Sequence, residues 1–315
     1  MKIAILYAES RFTPWRENID TNTVITLHKA LPKSANGTII HMTKPNEDLV
    51  KLLSKFDFVI NLCYGYYHFS QADVAEWLDQ NNIKHLSSGG IQQQMAQDKL
   101  YVETILGEYK IAVPKSIQHL SEICQGLYIS KPRKGGCHRG IEITDAHTAR
   151  TKFDLNCTED KLTQPYLIGR EFSVAIIPNE GGTGFETLPP LEVIPYPKRT
   201  IYLAGQSHGK TRKNYHPILS FTEKDNIIDA CLTAHKALGL TFYSRVDVRL
   251  VGDTAFVLDV NTMPNMHPTK SMLPGLLKTH KIGMREFVRR LISMGQHIYN
   301  TNTKPELAEY IQTTS

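Results

Sequence analysis

Arg245-Val246-Asp247-Val248-Arg249-Leu250-Val251-Gly252-Asp253-Thr254-Ala255-Phe256-Val257-Leu258-Asp259-Val260-Asn261 is the stretch on which the fold turns. Both flanks alternate polar and apolar residues with the period of a strand, and Gly252-Asp253 supplies a turn, so the segment reads as a hairpin. Matching apolar with apolar pairs Val246 with Val260, Val248 with Leu258 and Leu250 with Phe256 on one face. The same register sets Asp247 opposite Asp259 and Arg245 opposite Asn261 on the other. Two carboxylates then stand about 5 Å apart at their Cβ atoms, which is destabilising unless a cation lies between them. A hard divalent ion resolves this, because two carboxylates and an amide oxygen are oxygen ligands suited to Mg²⁺. The alternative is a solvated charged face in which Arg245 and Arg249 neutralise the acids, a common arrangement on sheet surfaces.

Working outward, the strand ends in Asn261-Thr262-Met263-Pro264-Asn265-Met266, a turn-prone run whose backbone N–H groups can face an anion. Upstream, residues 127–131 read as a strand running into Pro132-Arg133-Lys134-Gly135-Gly136-Cys137-His138-Arg139-Gly140, where glycines free the backbone to wrap a phosphate. This is neither a GxxxxGK[ST] loop nor a GxGxxG turn, so the common P-loop and dinucleotide readings lose their support. Further strands are expected at 171–177 and 188–194, and helices at 226–238 and 283–298. A single helix is expected at about 92–107, with a polar face ending near Asp98-Lys99. Residues 198–217 show little periodicity and read as a long mobile loop. At the amino terminus, residues 3–7 and 58–62 read as buried strands and 21–31 and 71–81 as helices, with Ala72, Ala75 and Leu78 on one face. That is the pattern of a small parallel α/β domain.

Composition sets the outer bounds. The chain has 315 residues, 36 Lys+Arg against 31 Asp+Glu, and 41% apolar residues, an ordinary globular balance that excludes collagen-like, disordered and disulfide-scaffold classes. The net charge of +5 is spread along the chain, which favours small anionic ligands over a nucleic-acid track. Five scattered cysteines without a CxxC pair read as reduced thiols. Residues 1–7 lack the apolar core and cleavage site of a signal peptide, and no apolar run approaches the roughly 18–20 residues that span a bilayer. A cytoplasmic protein without membrane or nucleic-acid partners is expected. The thirteen histidines show no zinc-ligand spacing. Cys137 beside His138 carries no orienting acid, so a nucleophilic thiol is disfavoured.

The ordered pieces resemble those of the ATP-grasp ligases, and within them the D-alanine:D-alanine ligase group. They are Asp98-Lys99, Lys131-Pro132 with the Gly-rich loop, Tyr166-Leu167-Ile168-Gly169-Arg170-Glu171-Phe172-Ser173-Val174, Leu188-Pro189-Pro190-Leu191-Glu192-Val193-Ile194, Arg245-Val246-Asp247 and Asp259-Val260-Asn261-Thr262-Met263-Pro264. The resemblance covers about residues 1–300 and is more specific for the nucleotide half than for the substrate half. It implies an α/β chain of α+β layers: a Rossmann-like parallel domain at 1–90 and two α+β subdomains, at 91–177 and 178–315, that clasp ATP. Carried over by position, Lys99 and Lys131 hold phosphates with Gly136 and Cys137 of the loop. Residues Gln164, Tyr166 and Leu167 form the hinge facing adenine, and Glu171 binds the ribose. Asp247, Asp259 and Asn261 hold Mg²⁺, with Mn²⁺ as a substitute; the family usually has Glu at Asp259. Arg245 and the N–H of Asn265 stabilise an oxyanion, although the family has Gly at Asn265. Ser271 meets the second amino acid's carboxylate, and Lys210 or Lys213 reaches phosphate from the mobile loop.

The implied reaction is phosphorylation of a carboxylate by ATP, followed by attack of an amine on the acylphosphate, with small-molecule substrates and a homodimeric enzyme. The substrate side departs from the family. Arg16, with Glu17 next to it, stands where the family's ammonium-binding Glu lies, and an Arg there repels an ammonium and attracts a carboxylate or phosphate. Cys63-Tyr64-Gly65-Tyr66-Tyr67-His68-Phe69 replaces the family's smaller, acidic run, so an altered first-substrate pocket with Tyr64 in its wall is expected. The competing expectations are a catalytically silent ATP-binding sensor or partner protein and a carboxylate kinase.

Overall fold

The computed structural model describes residues 1–8, 21–66, 69–134, 140–152, 161–195 and 211–301. Its first unit is a parallel sheet in the order β2-β1-β3, from β1 (Lys2–Tyr7), β2 (Asn36–His41) and β3 (Phe58–Leu62), with α1 (Thr21–Ala30) and α2 (Glu47–Leu53) in the connections. Continuous apolar runs suit a strand covered on both faces. Ile3, Ala4, Ile5 and Leu6 are all buried, and Ile5 lies between Ile39 and Ile60. The short pair β4 (Gly65–Tyr66) and β5 (Phe69–Ser70) leads into α3 (Gln71–Gln80). A capping box of Ser70 and Asp73 starts that helix, and the expected stripe of Ala72, Ala75 and Leu78 is fully buried.

The helix expected at 92–107 is two helices, α4 (Gly90–Gln97) and α5 (Lys99–Glu108). Asp98 breaks it: its Oδ1 accepts the N–H groups of Leu100 and Tyr101 at 3.1 and 3.3 Å, capping the second helix. The exposed backbone at the break is not wasted, because the Lys99 N–H donates to the Arg133 carbonyl. An antiparallel sheet follows in the order β7-β6-β8, from β6 (Leu127–Pro132), β7 (Glu142–Asp145) and β8 (Lys161–Pro165), with α6 (Ala146–Lys152) after β7.

The largest sheet runs β12-β11-β9-β13-β14, with β10 on β9. Its members are β9 (Arg170–Pro178), β10 (Phe185–Thr187), β11 (Leu191–Pro195), β12 (Thr211–Asn214), β13 (Ser244–Val251) and β14 (Thr254–Asn261); α7 (Phe221–Ala237) precedes β13, and α8 (Met272–Thr279) and α9 (Met284–Thr301) follow β14. Strand β9, which runs up to the expected domain cut at Ile177, hydrogen-bonds to β11 and β13. Strand β12 corrects the reading of 198–217 as loop throughout: residues 211–214 pair with β11. Thr-Arg-Lys-Asn is an edge strand without an apolar residue, so no alternation announces it. Residues 196–210 lie outside those described.

The hairpin forms, and near the acids its register is the expected one: Arg245 opposite Asn261, Val246 opposite Val260, Asp247 opposite Asp259. Beyond Asp247 it shifts, so Val248 faces Val257 and Leu250 faces Ala255, not Leu258 and Phe256. The cause is the turn. A two-residue loop, with Gly252 left-handed at φ 56°, pairs Val251 with Thr254, one residue out of step with the acid pair. A bulge at Leu258 absorbs the difference.

Alternation then sorts the sheet into two faces. Phe172, Val174, Val246, Val248, Val257 and Val260 pack with Ile227, Ala230, Cys231 and Ala234 of α7. The other face carries Glu171, Ser173, Arg245, Asp247, Arg249, Asp259 and Asn261. Another core joins Ile3, Leu27 and Phe58 of the first unit to Ala175, Tyr243, Phe287 and Leu291, holding the parallel sheet against the carboxyl-terminal part. Among the described residues no helix is long and apolar enough to cross a membrane.

Candidate active site

Asp247 is the node of the polar face. Arg245, two residues away on the same face, donates to both its oxygens, Nε to Oδ1 at 2.9 Å and Nη2 to Oδ2 at 2.7 Å. The Asn261 Nδ2 donates to Oδ2 at 3.0 Å, and the Ser173 hydroxyl donates to Oδ1 from β9. A bidentate guanidinium with two further donors saturates a carboxylate. Arg245 thus neutralises Asp247 as the charged-face reading expects, while Asp259 stands opposite it across the hairpin. The donor types, two carboxylates and the Asn261 oxygen that its own Nδ2–Asp247 bond leaves uncommitted, suit a hard divalent cation, for which Asp247 would exchange one of its four donors. Among the described residues no group of three or more His, Cys, Asp or Glu converges on one point.

A pocket beside this face is lined by Lys99, Glu103, Lys131, Gln164 and Asp259, with Val113, Val257 and Leu258 as apolar wall. The break at Asp98 helps build it. Asp98 takes Arg133 at 2.7 Å, tying the start of α5 to the end of β6. Burial opposes ionisation there, but the hydrogen bonds from Arg133 and from the Tyr101 N–H outweigh it and hold the carboxyl below the usual range. Lys131 is buried, and burial first, then the Lys99 charge, pull its ammonium down to about 8, with Asp259 and Glu103 pulling the other way. A desolvated ammonium beside a second cation is poised for an anion.

Gln164 closes the pocket. Its Nε2 donates to the Pro114 carbonyl at 2.7 Å and to Ser116 Oγ at 3.3 Å, and the Ser116 hydroxyl donates on to Glu103. The amide orientation is thereby fixed, and Oε1 is buried with no donor. The following residues are organised by Arg249, which sequence reasoning cast only as a neutralising charge. It donates to the Leu167 carbonyl at 2.8 Å, pairs with Glu171 at 2.6 Å and stands 5.5 Å from the Tyr166 ring centroid. Burial would lower its proton affinity; the Glu171 carboxylate more than compensates.

The turn after β14 completes the face. Tyr64 reaches the Pro264 carbonyl at 3.4 Å, bringing the first unit to the site. Asn265 Oδ1 accepts the His267 N–H and the Ser271 hydroxyl, both at 2.8 Å. Among the described residues the left-handed non-glycine positions are Asn82, Lys110, Phe242 and Lys281, so Asn265 sits in its turn without the backbone that calls for glycine. Met272, next to Ser271, contacts Ser173 Oγ through sulfur at 3.4 Å. The Lys213 ammonium donates to the Lys270 carbonyl at 2.7 Å; burial and then the Arg245 charge lower its proton affinity.

Of the expected residues, Lys99, Lys131, Gln164 and Asp259 share the pocket, and Arg245, Asp247 and Asn261 share the acid node. Tyr166, Leu167 and Glu171 meet at Arg249. Arg16, Glu17, Gly136, Cys137 and Lys210 lie outside the described residues. Sequence reasoning missed Ser173, Glu103 and the organising role of Arg249. Arg249 carried a signal, since it continues the alternation of Arg245 and Asp247; Ser173 did not, since only strand pairing sets it opposite Asp247.

Residues 119–293 match the D-ala D-ala ligase C-terminus family. The chain is 27% identical to a D-alanine–D-alanine ligase of Thermotoga petrophila, over 78% of this chain and 83% of that one. With the Pseudothermotoga lettingae D-alanine–D-alanine ligase it shares 26% identity over 93% of this chain and 98% of the other. The crystal structure of D-alanine–D-alanine ligase from Bacillus anthracis complexed with ATP superposes with a TM-score of 0.73 at 20% identity, covering 96% of this chain and 99% of that one, which shows the ATP-grasp fold. Matched by this family over more than half its length, the chain belongs to the D-ala D-ala ligase C-terminus family.

Proposed function

We propose that the chain is an ATP-dependent carboxylate–amine ligase that joins two amino acids, or a related acid and amine, with release of ADP and phosphate. The observation that carries the nucleotide half is the Gln164 carbonyl oxygen, buried without a donor in a pocket that also holds Lys99 and Lys131. An unmet buried acceptor costs about 1–3 kcal/mol, which a ligand N–H repays. The exocyclic amine of adenine is such a donor; the 6-oxo group of guanine would set acceptor against acceptor. Family membership supports the ligase half.

In this mechanism Lys99 and Lys131 take the phosphates, and Arg249 holds the hinge carbonyl of Leu167 and the Glu171 carboxylate in place for the base and ribose. A divalent metal, Mg²⁺ or Mn²⁺, held by Asp247, Asp259 and Asn261 would supply charge neutralisation at the transferring phosphoryl group. Arg245, with the Asn265 N–H, would face the oxyanion formed when the amine attacks the acylphosphate carbonyl. Lys213, anchored on the Lys270 carbonyl, and Lys210 contribute further positive charge, and Tyr64 forms pocket wall. Arg16 and Glu17 alter the first-substrate pocket away from D-alanine. A cytoplasmic homodimer belongs to the same proposal.

The test is an ADP-release screen with paired D- and L-amino acids and Mg²⁺, followed by mass spectrometry. Amide product, formed with ATP and not GTP, supports the reading. ATP binding without ADP release points instead to a silent binding module, and ADP release without amide to a carboxylate kinase.

A further inference from the structure

Strand β12 sets Lys213 opposite Val193, in a row that continues through Glu171 to Arg249, so Lys213 lies on the polar face of the sheet. Its ammonium donates to the Lys270 carbonyl at 2.7 Å, and burial first, then the Arg245 charge, lowers its proton affinity. A lysine stem is long and flexible, and beside a guanidinium it would swing its head into water unless the scaffold held it. One carbonyl is a slight tether for that. The residue that follows β12 supplies a second hold. Tyr215 packs against the core that contains Leu273, Leu276 and Leu277 of α8. Gly275 of the same helix is the gap it fills: a methyl group there would stand 2.1 Å from Tyr215 Oη, 2.7 Å from Cζ and 2.9 Å from Cε1. Glycine is a poor helix former, and Gly275 has no left-handed backbone to call for it. Room for the tyrosine ring is what it provides. Lys213 and Tyr215 thus staple β12 at two points to the segment made of Lys270 and α8.

We propose that Tyr215, seated on Gly275, is the positioning residue that holds Lys213 beside Arg245 on the reacting face. The inference rests on the ligase reading, in which Lys213 contributes positive charge. Two neighbouring cations gain most when an anion comes between them, so a scaffold that keeps them together beforehand spares the reaction that reorganisation. Without the seat, β12 keeps its ladder to β11, but the lysine head turns to solvent. Tyr215 touches no reacting group; it acts through the strand that carries Lys213.

The experiment is a double-variant cycle on the full chain, read as kcat for ADP release with ATP, Mg²⁺ and the amino-acid pair that wild type turns over fastest. Alanine is the better helix former, so Gly275→Ala weakens activity only by pushing Tyr215 from its seat. It should lower kcat about tenfold in the wild-type background and less than about twofold once Lys213 is replaced by Met, because no lysine is then left to misplace. Tyr215→Ala empties the seat without altering α8 and should show the same pattern. A merely structural role gives the same factor in both backgrounds; that result, or a loss below about twofold in the wild-type background, overturns the inference. If wild type releases no ADP with any pair, the ligase reading fails. The seat is then judged without turnover, by NMR titration of reductively methylated lysines, with the Lys213 signal identified by its absence from Lys213→Met. That signal should titrate below those of exposed lysines in wild type and rise toward them in Gly275→Ala and Tyr215→Ala. A midpoint that either variant leaves unmoved overturns the inference.

Discussion

Replacing Arg249 with Met tests whether one buried cation holds the nucleotide hinge together. The guanidinium is 8% exposed and its partner Glu171 15%, so the pair is largely out of water. Taking one member from a buried pair costs about 3–5 kcal/mol, mostly through the charge left behind; with Glu171 at the rim, the lower end, about 3 kcal/mol, applies. Met retains the packing over Tyr166 while removing the bonds to Leu167 and Glu171. Neutralising the acid as well, in Arg249→Met with Glu171→Gln, removes the stranded charge and should cost only about 1 kcal/mol; since Glu171→Gln alone also strands a charge, the coupling between the two sites should be at least about 2 kcal/mol. Urea unfolding of wild type, both single variants and the double variant measures this directly. Both Arg249 variants should also raise the KM for ATP about tenfold, since the Leu167 carbonyl loses its tether, a change of about 1.4 kcal/mol. A coupling below about 0.5 kcal/mol, no more than ordinary non-additivity, would refute the hinge argument.

Lys131 should make nucleotide binding pH-dependent. Its folded-state value of about 8 lies below the ordinary 10.5, so between these limits the unfolded chain binds more protons and stability rises with pH, the burial penalty being fully present below about 8. Phosphate favours the charged form, so ATP affinity should fall as pH rises above about 8 in calorimetric titrations, whereas Lys131→Arg should be flat from pH 7 to 9.5; parallel profiles would exclude Lys131 as the cause. Asp247→Asn should weaken the proposed metal set, so ADP release should drop by about two orders of magnitude or more, the scale of losing one electrostatic contact to the transition state. Full activity of that variant would remove the hairpin from the chemistry. Asp98→Ala deletes both the cap of α5 and the partner of Arg133, and should cost about 1–2 kcal/mol in urea unfolding, with Asp98→Ser recovering the capping share; equal losses in the two variants would mean the cap contributes nothing.

The parallel unit and the acid hairpin were legible in the sequence because each is written in local periodicity. Runs such as Ile3-Ala4-Ile5-Leu6 announce a doubly covered strand, and alternation alone set Asp247 across from Asp259. Features that depend on another segment left no such mark. The β12 strand is polar throughout and exists because β11 offers an edge. The break at Asp98 follows from a side chain outcompeting the helix for two N–H groups, aided by a carbonyl from residue 133. Ser173 and the donor-free Gln164 oxygen gain meaning only from what β13 and Pro114 bring against them. The register slip beyond Asp247 required weighing loop length against side-chain matching, two demands that differ by one residue.

The bulge at Leu258 works as a phase adjuster between the two ends of the ribbon. On the near side, position is dictated by charge: a one-residue slip would turn Asp259 and Asn261 toward α7. On the far side, the Gly252-Asp253 tip follows its own turn geometry, with the Asn226 Nδ2 of α7 donating to the Asp253 carbonyl at 2.7 Å. Because the slack is taken up between them, the tip is decoupled from the chemistry. A tag, a reporter peptide or new chain ends can be engineered at Gly252-Asp253 with the spacing of the acids preserved, which gives a practical handle on this protein well away from its reacting groups.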